Sequence, residues 1–418
     1  MIHRNRHRLI LLAGGCLSLV AGTWPFGAWA QQPERGVSVF ERARPDYDPL
    51  GVRAGSFVIY PQVEIGESYD DNIFAVDNDE EDDFITVVSP EVNVESDWGR
   101  HALNLRGGGD AGFYLDNNDE NFIDWFVATD GRLDVVRDTY LVGGLGWRRL
   151  HEDRGSPDDV AGEEPTEYDI YSANLGAARE LGRISARVDG IVDRYDFHDV
   201  DAQGGGQIDQ DDRDRVQYQL IGRVGYEYLP DTEGFVRVIG RMREYDELEG
   251  GFDRDSVGYA VLIGTELNFT PKVTGEIAAG YQHTTYDDDE LSDVNSPALG
   301  GNVLWNVTGL TSIRAFAQGS IEETTQADAS GYIAARVGGS VEHELRRNIL
   351  LGAGVTLGRD DYEGIDRTDD ILIGTVSARY LINRNFYARA AFTHQTRSSD
   401  TNDEYSRNII LLTIGAQL

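Results

Sequence analysis

Cysteine, methionine and lysine are almost missing from this chain: it has one cysteine, Cys16, two methionines and a single lysine, Lys272. Beyond Cys16 there is no thiol, which excludes a disulfide framework, a cysteine-ligated metal and thiol chemistry from the rest of the sequence. Lysine and arginine together number 37 against 73 acids, a formal net charge of −36. Binding to a nucleic-acid backbone needs a basic footprint, and none is present. After residue 30 no apolar run approaches the roughly 20 residues of a membrane-spanning helix. Any membrane crossing beyond that point has to be made by a closed barrel, the other fold that satisfies every backbone polar group in lipid.

The N-terminus reads as an address. Arg4, Arg6 and Arg8 precede an apolar run over 9–20, and Ala28-Trp29-Ala30 is a small-x-small site before Gln31 and Gln32. Residues 1–30 are therefore expected to be a cleaved secretory signal peptide that sends the chain to the outer membrane of a Gram-negative cell. Acylation at Cys16 is the competing reading, disfavoured by Ala13 and by the apolar sequence beyond Cys16. Loss of the three arginines takes the formal charge from −36 to −39. Residues 31–55 carry Pro45, Pro49 and mixed charge without periodicity, as expected of a periplasmic N-terminal leader.

What the chain has in quantity is glycine (48), tyrosine (20) and alternation. From residue 56 to 418, stretches of roughly 9 to 15 residues alternate apolar and polar, which is the period of a strand with two unlike faces. In 184–195 one face reads Ile184, Ala186, Val188, Gly190, Val192 and the other Ser185, Arg187, Asp189, Ile191, Asp193. Short Gly, Pro, Asn and Asp clusters at 97–100, 137–139, 180–183, 230–234, 270–272, 307–309, 344–348 and 383–385 have hairpin-turn chemistry. The intervening connections, including 77–83, 153–167, 198–212 and 287–293, are mostly longer and acidic. These features predict an all-β fold: a transmembrane antiparallel β-barrel of about 18 strands (16 to 20), with short periplasmic turns and longer acidic extracellular loops. A soluble β-sandwich or propeller is the alternative, but charges recur at mid-strand too often for one dry core.

The functional candidates follow from this frame. Arg187, Arg223, Arg237, Arg241, Arg314, Arg336, Arg379 and Arg389 fall opposite apolar neighbours and are expected to face a watery lumen. Glu64, Glu91, Glu95, Asp189, Glu227 and Glu276 share that face, so the arginines either set up a transverse field or simply pair with carboxylates. Tyr69, Tyr195, Tyr245, Tyr286 and Tyr362 each close a strand beside an acid, which predicts an aromatic girdle at one rim. Loop 153–167 either folds into the lumen or projects outward.

No chemistry is indicated. Gly107-x-Gly109-x-x-Gly112 lies inside a strand with no helix following, so it offers a dinucleotide no helix N-terminus. His101, His151, His283, His343 and His394 are scattered along polar faces and fit no catalytic motif. The acidic runs 77–83 and 209–212 lack the ordered spacing of a calcium loop and read as solvated caps, or as a bridge through divalent ions to lipopolysaccharide. Catalytic residues, metal ligands and cofactors are expected to be none.

The segments Arg44-Pro45-Asp46-Tyr47-Asp48-Pro49-Leu50-Gly51, Gly55-Ser56-Phe57 and Tyr69-Asp70-Asp71-Asn72-Ile73-Phe74 resemble the putative β-barrel porin 2 family of proteobacterial outer-membrane proteins, as do Ser96-Asp97-Trp98 and residues 149–159. The resemblance covers nearly the whole chain after the signal and implies an outer-membrane barrel of porin type, without catalytic residues. It implies more weakly a place in exopolysaccharide or capsule export. The expected function is passive passage of polar solutes, with polysaccharide export or a plugged structural or adhesive barrel as alternatives. Expected partners are outer-membrane lipid, lipopolysaccharide and the barrel-assembly machinery. Leu418 stands where such chains more often end in Phe or Trp.

Overall fold

In the computed structural model, residues 36–418 other than 271, 327 and 402 are described; the expected signal peptide and Cys16 lie outside them. Eighteen long strands form one antiparallel sheet: β1 (Phe57–Asp70), β2 (Asp83–Ser96), β3 (Ala102–Tyr114), β4 (Phe122–Val136), β5 (Thr139–His151), β6 (Glu167–Leu181), β7 (Ile184–Phe197), β8 (Arg215–Leu229) and β9 (Thr232–Tyr245), then β10 (Ser256–Thr270), β11 (Val273–Tyr286), β12 (Val294–Thr308), β13 (Thr311–Glu322), β14 (Gly331–Arg346), β15 (Ile349–Glu363), β16 (Thr368–Leu381), β17 (Phe386–Ser399) and β18 (Tyr405–Gln417). Each strand pairs with its sequence neighbours, and β1 pairs with β18 from Gln62 opposite Gln417 to Asp70 opposite Ile409, so the sheet closes on itself. Closure leaves no long strand edge with unpaired N–H and C=O groups, which a hydrocarbon environment requires.

The connections alternate as the composition predicts. At one end β4–β5, β6–β7 and β8–β9 are joined through two-residue turns, with Asp138, Gly182 and Asp231 at positive φ. That is the left-handed conformation tight hairpins demand, and Asp and Gly adopt it readily. At the other end lie the longer segments 71–82, 152–166, 198–214, 246–255 and 323–330.

Strand parity decides what faces where. On β8, Leu220 and Val224 are exposed outward while Gln217 and Gln219 are buried inward; β16 turns Leu372 and Val376 out and Asp369 and Arg379 in. Apolar residues thus clothe the outside and polar residues fill the inside, the reverse of a soluble barrel. In a bilayer this is the favourable sense, because a charge facing mid-membrane lipid costs about 2–4 kcal/mol.

Parity also corrects the tyrosine girdle. Of its five members only Tyr69 points outward, with its ring centroid 5.1 Å from that of Phe84. Tyr195, Tyr286 and Tyr362 are buried inside, and Tyr245 lines the lumen. Each sits two residues from an inward polar group (Asp193, Arg243, Thr284, Asp360), so the pleat carries it inward too. The outward aromatic rims consist of other residues: Phe84, Phe113, Trp147, Tyr171, Tyr218 and Tyr259 near the long loops, and Trp98, Tyr226, Tyr228, Trp305, Tyr380 and Phe386 near the short turns.

Candidate functional site

The loop between β5 and β6, residues 152–166, turns into the barrel and crosses it as a strap. Its root starts where His151 leaves the wall: the His151 backbone N–H donates to Asp124 (2.9 Å) and its ring stacks on Phe122 at 4.0 Å. Phe122 lies where a Cβ on Gly112 would come within 2.2 Å of its ring, so this glycine makes room for the aromatic pair. The loop neck is closed by Glu152 N–H donating to the Thr166 carbonyl at 2.8 Å.

Four arginines from four directions then hold the strap. Arg154, on the strap, grips Glu120 in the β3–β4 loop at 2.9 and 2.6 Å. Arg213, from the β7–β8 loop, grips Glu152 at 3.1 and 2.9 Å. Arg397 of β17 donates to the Gly155 carbonyl at 2.6 Å, and Arg407 of β18 reaches Asp153 at 3.3 Å. The tip docks on the β13–β14 loop: Asp158 accepts from Thr325 N–H (3.0 Å), Thr325 Oγ1 (3.1 Å) and Thr324 Oγ1 (3.2 Å), and Gln326 donates to the Pro157 carbonyl (2.7 Å). Root and tip are eight strands apart on an eighteen-strand ring, so the strap spans close to a full diameter. The carboxylates it carries inward lose water. Burial pushes Asp159 up to about 6 even beside Arg154, and raises Glu152 despite its pairing with Arg213. In the β9–β10 loop, burial and then Glu323 push Glu249 up to about 7 against the pull of Arg254.

A cavity of about 480 Å³ lies against the strap, lined among others by Tyr168, Tyr195, Phe197, Arg215, Tyr245 and Tyr332. Its wall interleaves rings and cations: Tyr168 stacks on Phe197 at 5.1 Å, Arg213 lies 4.1 Å over Phe197 and Arg215 lies 4.5 Å over Tyr195. Such a surface offers flat faces to apolar patches and guanidinium groups to oxygens.

All eight arginines singled out in the sequence sit on inward-facing positions. Register sets Arg187 beside Arg223 and Arg223 beside Arg237. These do not form a bare positive row facing carboxylates across water, because each is matched on its own stretch of wall: Arg187 with Asp189 (2.7 Å), Arg223 with Glu233 (2.8 Å) and Arg237 with Glu276 (2.7 Å). Arg336 pairs with Asp360 (2.6 Å), Arg389 with Glu64 (2.9 Å) and Arg314 with Glu41 (3.4 Å), while Arg379 lies over the Tyr387 ring at 5.6 Å. Arg241 has no hydrogen-bond or ion-pair partner among the described residues.

The opposite, short-turn mouth is also occupied. Residues 36–49 run along the inside of the wall from Thr274 to Gln417. Val39 N–H donates to Ser312 Oγ and Phe40 N–H to Glu342, both at 2.9 Å, and Arg44 pairs with Glu344 at 2.9 Å. The sequence pattern marked neither this path nor the strap anchors Arg154, Arg213, Arg397 and Arg407. Their partners are remote along the chain, and the only signal was that Arg397 and Arg407 share the inward parity of their strands.

The histidines do not converge. His151 bonds Asp124, His283 and His394 bond Asn295 and Asn408, His343 bonds Thr311, and His101 accepts from the Asp134 backbone. Asp199, Asp209 and Asp211 come together on the surface of the β7–β8 loop, fully exposed. In the run 77–83, Asp83 pins the β3–β4 loop, its carboxylate accepting from the backbone N–H groups of Leu115, Asp116 and Asn117.

No curated protein sequence matches the chain. Solved structures with a similar fold include Pseudomonas aeruginosa OccK3 (OpdO), at 12% identity and a TM-score of 0.46, covering 86% of this chain and 96% of that one. A BenF-like porin from Pseudomonas fluorescens Pf-5 matches at 10% identity and 0.46, covering 86% and 99%. The ferric citrate transporter FecA in its unliganded form matches at 10% identity and 0.46, covering 90% and 80%. The family described as Putative beta-barrel porin 2 matches residues 44–418, the whole barrel and the last residues of the segment lining its short-turn mouth, and the chain belongs to that family.

Proposed function

We propose that the protein is a passive pore for small polar solutes in the outer membrane, with the strap setting the size of what passes. The observation that supports this most is the strap itself: a polar loop bound across an eighteen-strand lumen whose wall is lined by charged and hydroxyl-bearing side chains. Wide barrels that enclose polar interiors hold water, and a loop folded into them narrows the path without sealing the wall. Passage then needs no chemical step and no cofactor. The acidic long-loop end faces the cell exterior in this reading, and the short turns face the periplasm.

A polymer such as an exopolysaccharide would need the strap to withdraw from the diameter it occupies, so small solutes are the better fit. The second reading, a plugged structural barrel, draws on the same strap together with the occupied short-turn mouth. Swelling of liposomes containing the refolded protein separates the two. Uptake of small sugars and amino acids, falling steeply with solute size, is the outcome for a pore. Liposomes that swell no faster than protein-free ones would show a plugged barrel.

A further inference from the structure

The N-terminal segment at the short-turn mouth contributes no strand to the closure of the barrel. We propose that residues 36–49 are a displaceable stopper, docked inside the mouth in the narrow state and withdrawn from it in a wider one. This inference rests on the pore reading above.

Three observations carry it. First, closure of the barrel does not involve the segment: β1 and β18 pair from Gln62 and Gln417 upward, so its withdrawal leaves every strand paired. Second, the segment joins the barrel through a glycine-bounded bend outside the ring of long strands. Gly51 and Gly55, at φ of 71° and 63°, flank a three-residue strand, Val52–Ala54, that pairs only with Phe57–Ile59. A Cβ on Gly51 would lie 2.3 Å from the Tyr60 ring, so this bend is open to glycine alone.

Third, the docked state is held mainly by polar contacts, which water can replace, and is incompletely satisfied. The apolar part of the contact is small, Val39 and Phe40 against Leu350, with Phe40 seated over Gly352. The rest is polar: Val39 N–H to Ser312, Phe40 N–H to Glu342, Arg42 to Asn306 and to the Gly309 carbonyl, Arg44 to Glu344, and, from the wall, Asn306 to the Val37 carbonyl, Arg314 to Glu41, Arg384 to the Pro45 carbonyl and Gln417 to the Tyr47 carbonyl. Arg44 and Glu344 are almost completely buried, at 3% and 7% exposure. Yet Ser38 Oγ and Arg44 Nε, both buried, find no hydrogen-bond partner among the described residues. Buried unsatisfied donors and a desolvated ion pair weigh against docking, and withdrawal returns them to water.

The test is a charge-swap cycle on full-length protein in planar bilayers. Arg44→Glu and Glu344→Arg each set like charges against one another in the docked state, and each is expected to raise mean conductance roughly twofold by favouring the withdrawn state. Combining them restores the pair in reverse, and conductance returns to the wild-type level. Deletion of residues 36–48 should reproduce the wide level, with heat-modifiable gel mobility showing that the barrel is folded. Unchanged conductance in both single variants and in the deletion, while a variant with the strap released conducts, would overturn the stopper and leave the pore. A double variant that stays wide overturns the assigned contact as the latch. Failure of every variant to conduct, the strap-released one included, removes the pore reading and the stopper with it.

Discussion

At the scale of single residues, the lumen is organised by pairing. Arg187, Arg223 and Arg237 stand side by side across three strands, a placement that would repel if each were not matched with a carboxylate of its own. Arg241 is inward-facing and makes no ion pair among the described residues. Its charge adds to that of Arg243 and is offset in part by Glu322, where screening is weaker than in bulk water. Arg241→Gln should shift the reversal potential in a salt gradient toward cations while gel mobility stays heat-modifiable. A folded variant with an unchanged reversal potential would remove Arg241 from selectivity.

The facing of these arginines was legible because alternation is local: Val236, Val238 and Gly240 fix the side on which Arg237 and Arg241 project. The same rule, applied to Tyr195 through Asp193 or to Tyr362 through Asp360, reads those tyrosines as inward. Judging them by their place at a strand end instead put four of five on the wrong face.

At the scale of elements, the strands were legible and the strap was not. Strands announce themselves by period-two patterning over a dozen residues, and their turns by Asp and Gly at positions that need positive φ. A polar loop is equally at home in bulk water and in a polar lumen, and what decides is its partners. Those of 152–166 are Glu120, Arg213, Thr324, Thr325, Arg397 and Arg407, spread over most of the chain.

The strap also carries a pH dependence with a definite sign. The docked state raises Asp159 to about 6 and raises Glu152. A carboxyl whose pKa is higher when docked than when free favours docking in its protonated form. Docking is thus strongest at low pH and weakens as pH rises through about 6. Dwell times in the narrow state should lengthen from pH 8 to pH 5, and Asp159→Asn should flatten that trend. Narrow-state dwell times that shorten on acidification would contradict the assignment.

At the scale of the whole molecule, a closed antiparallel sheet of eighteen strands with an apolar outside gives both the membrane address and the topology. An even strand count returns both ends of the barrel to the short-turn side. An epitope inserted at the exposed 204–206 glycines should be labelled on intact cells, while one at 347 should require permeabilised cells. The tip of the strap at 158–162 is a poor place for such a tag, because Asp158 is engaged inside the lumen. Labelling at 347 alone would invert the orientation.

The central claim is that the barrel holds a continuous polar path which the strap narrows. Single-channel recording of wild type beside a variant with residues 155–160 replaced by a Gly-Ser stretch tests it most directly. The account predicts small, defined steps from wild type and larger steps from the variant, with both proteins heat-modifiable on gels. Silent bilayers from both folded proteins, or equal steps from the two, would contradict it.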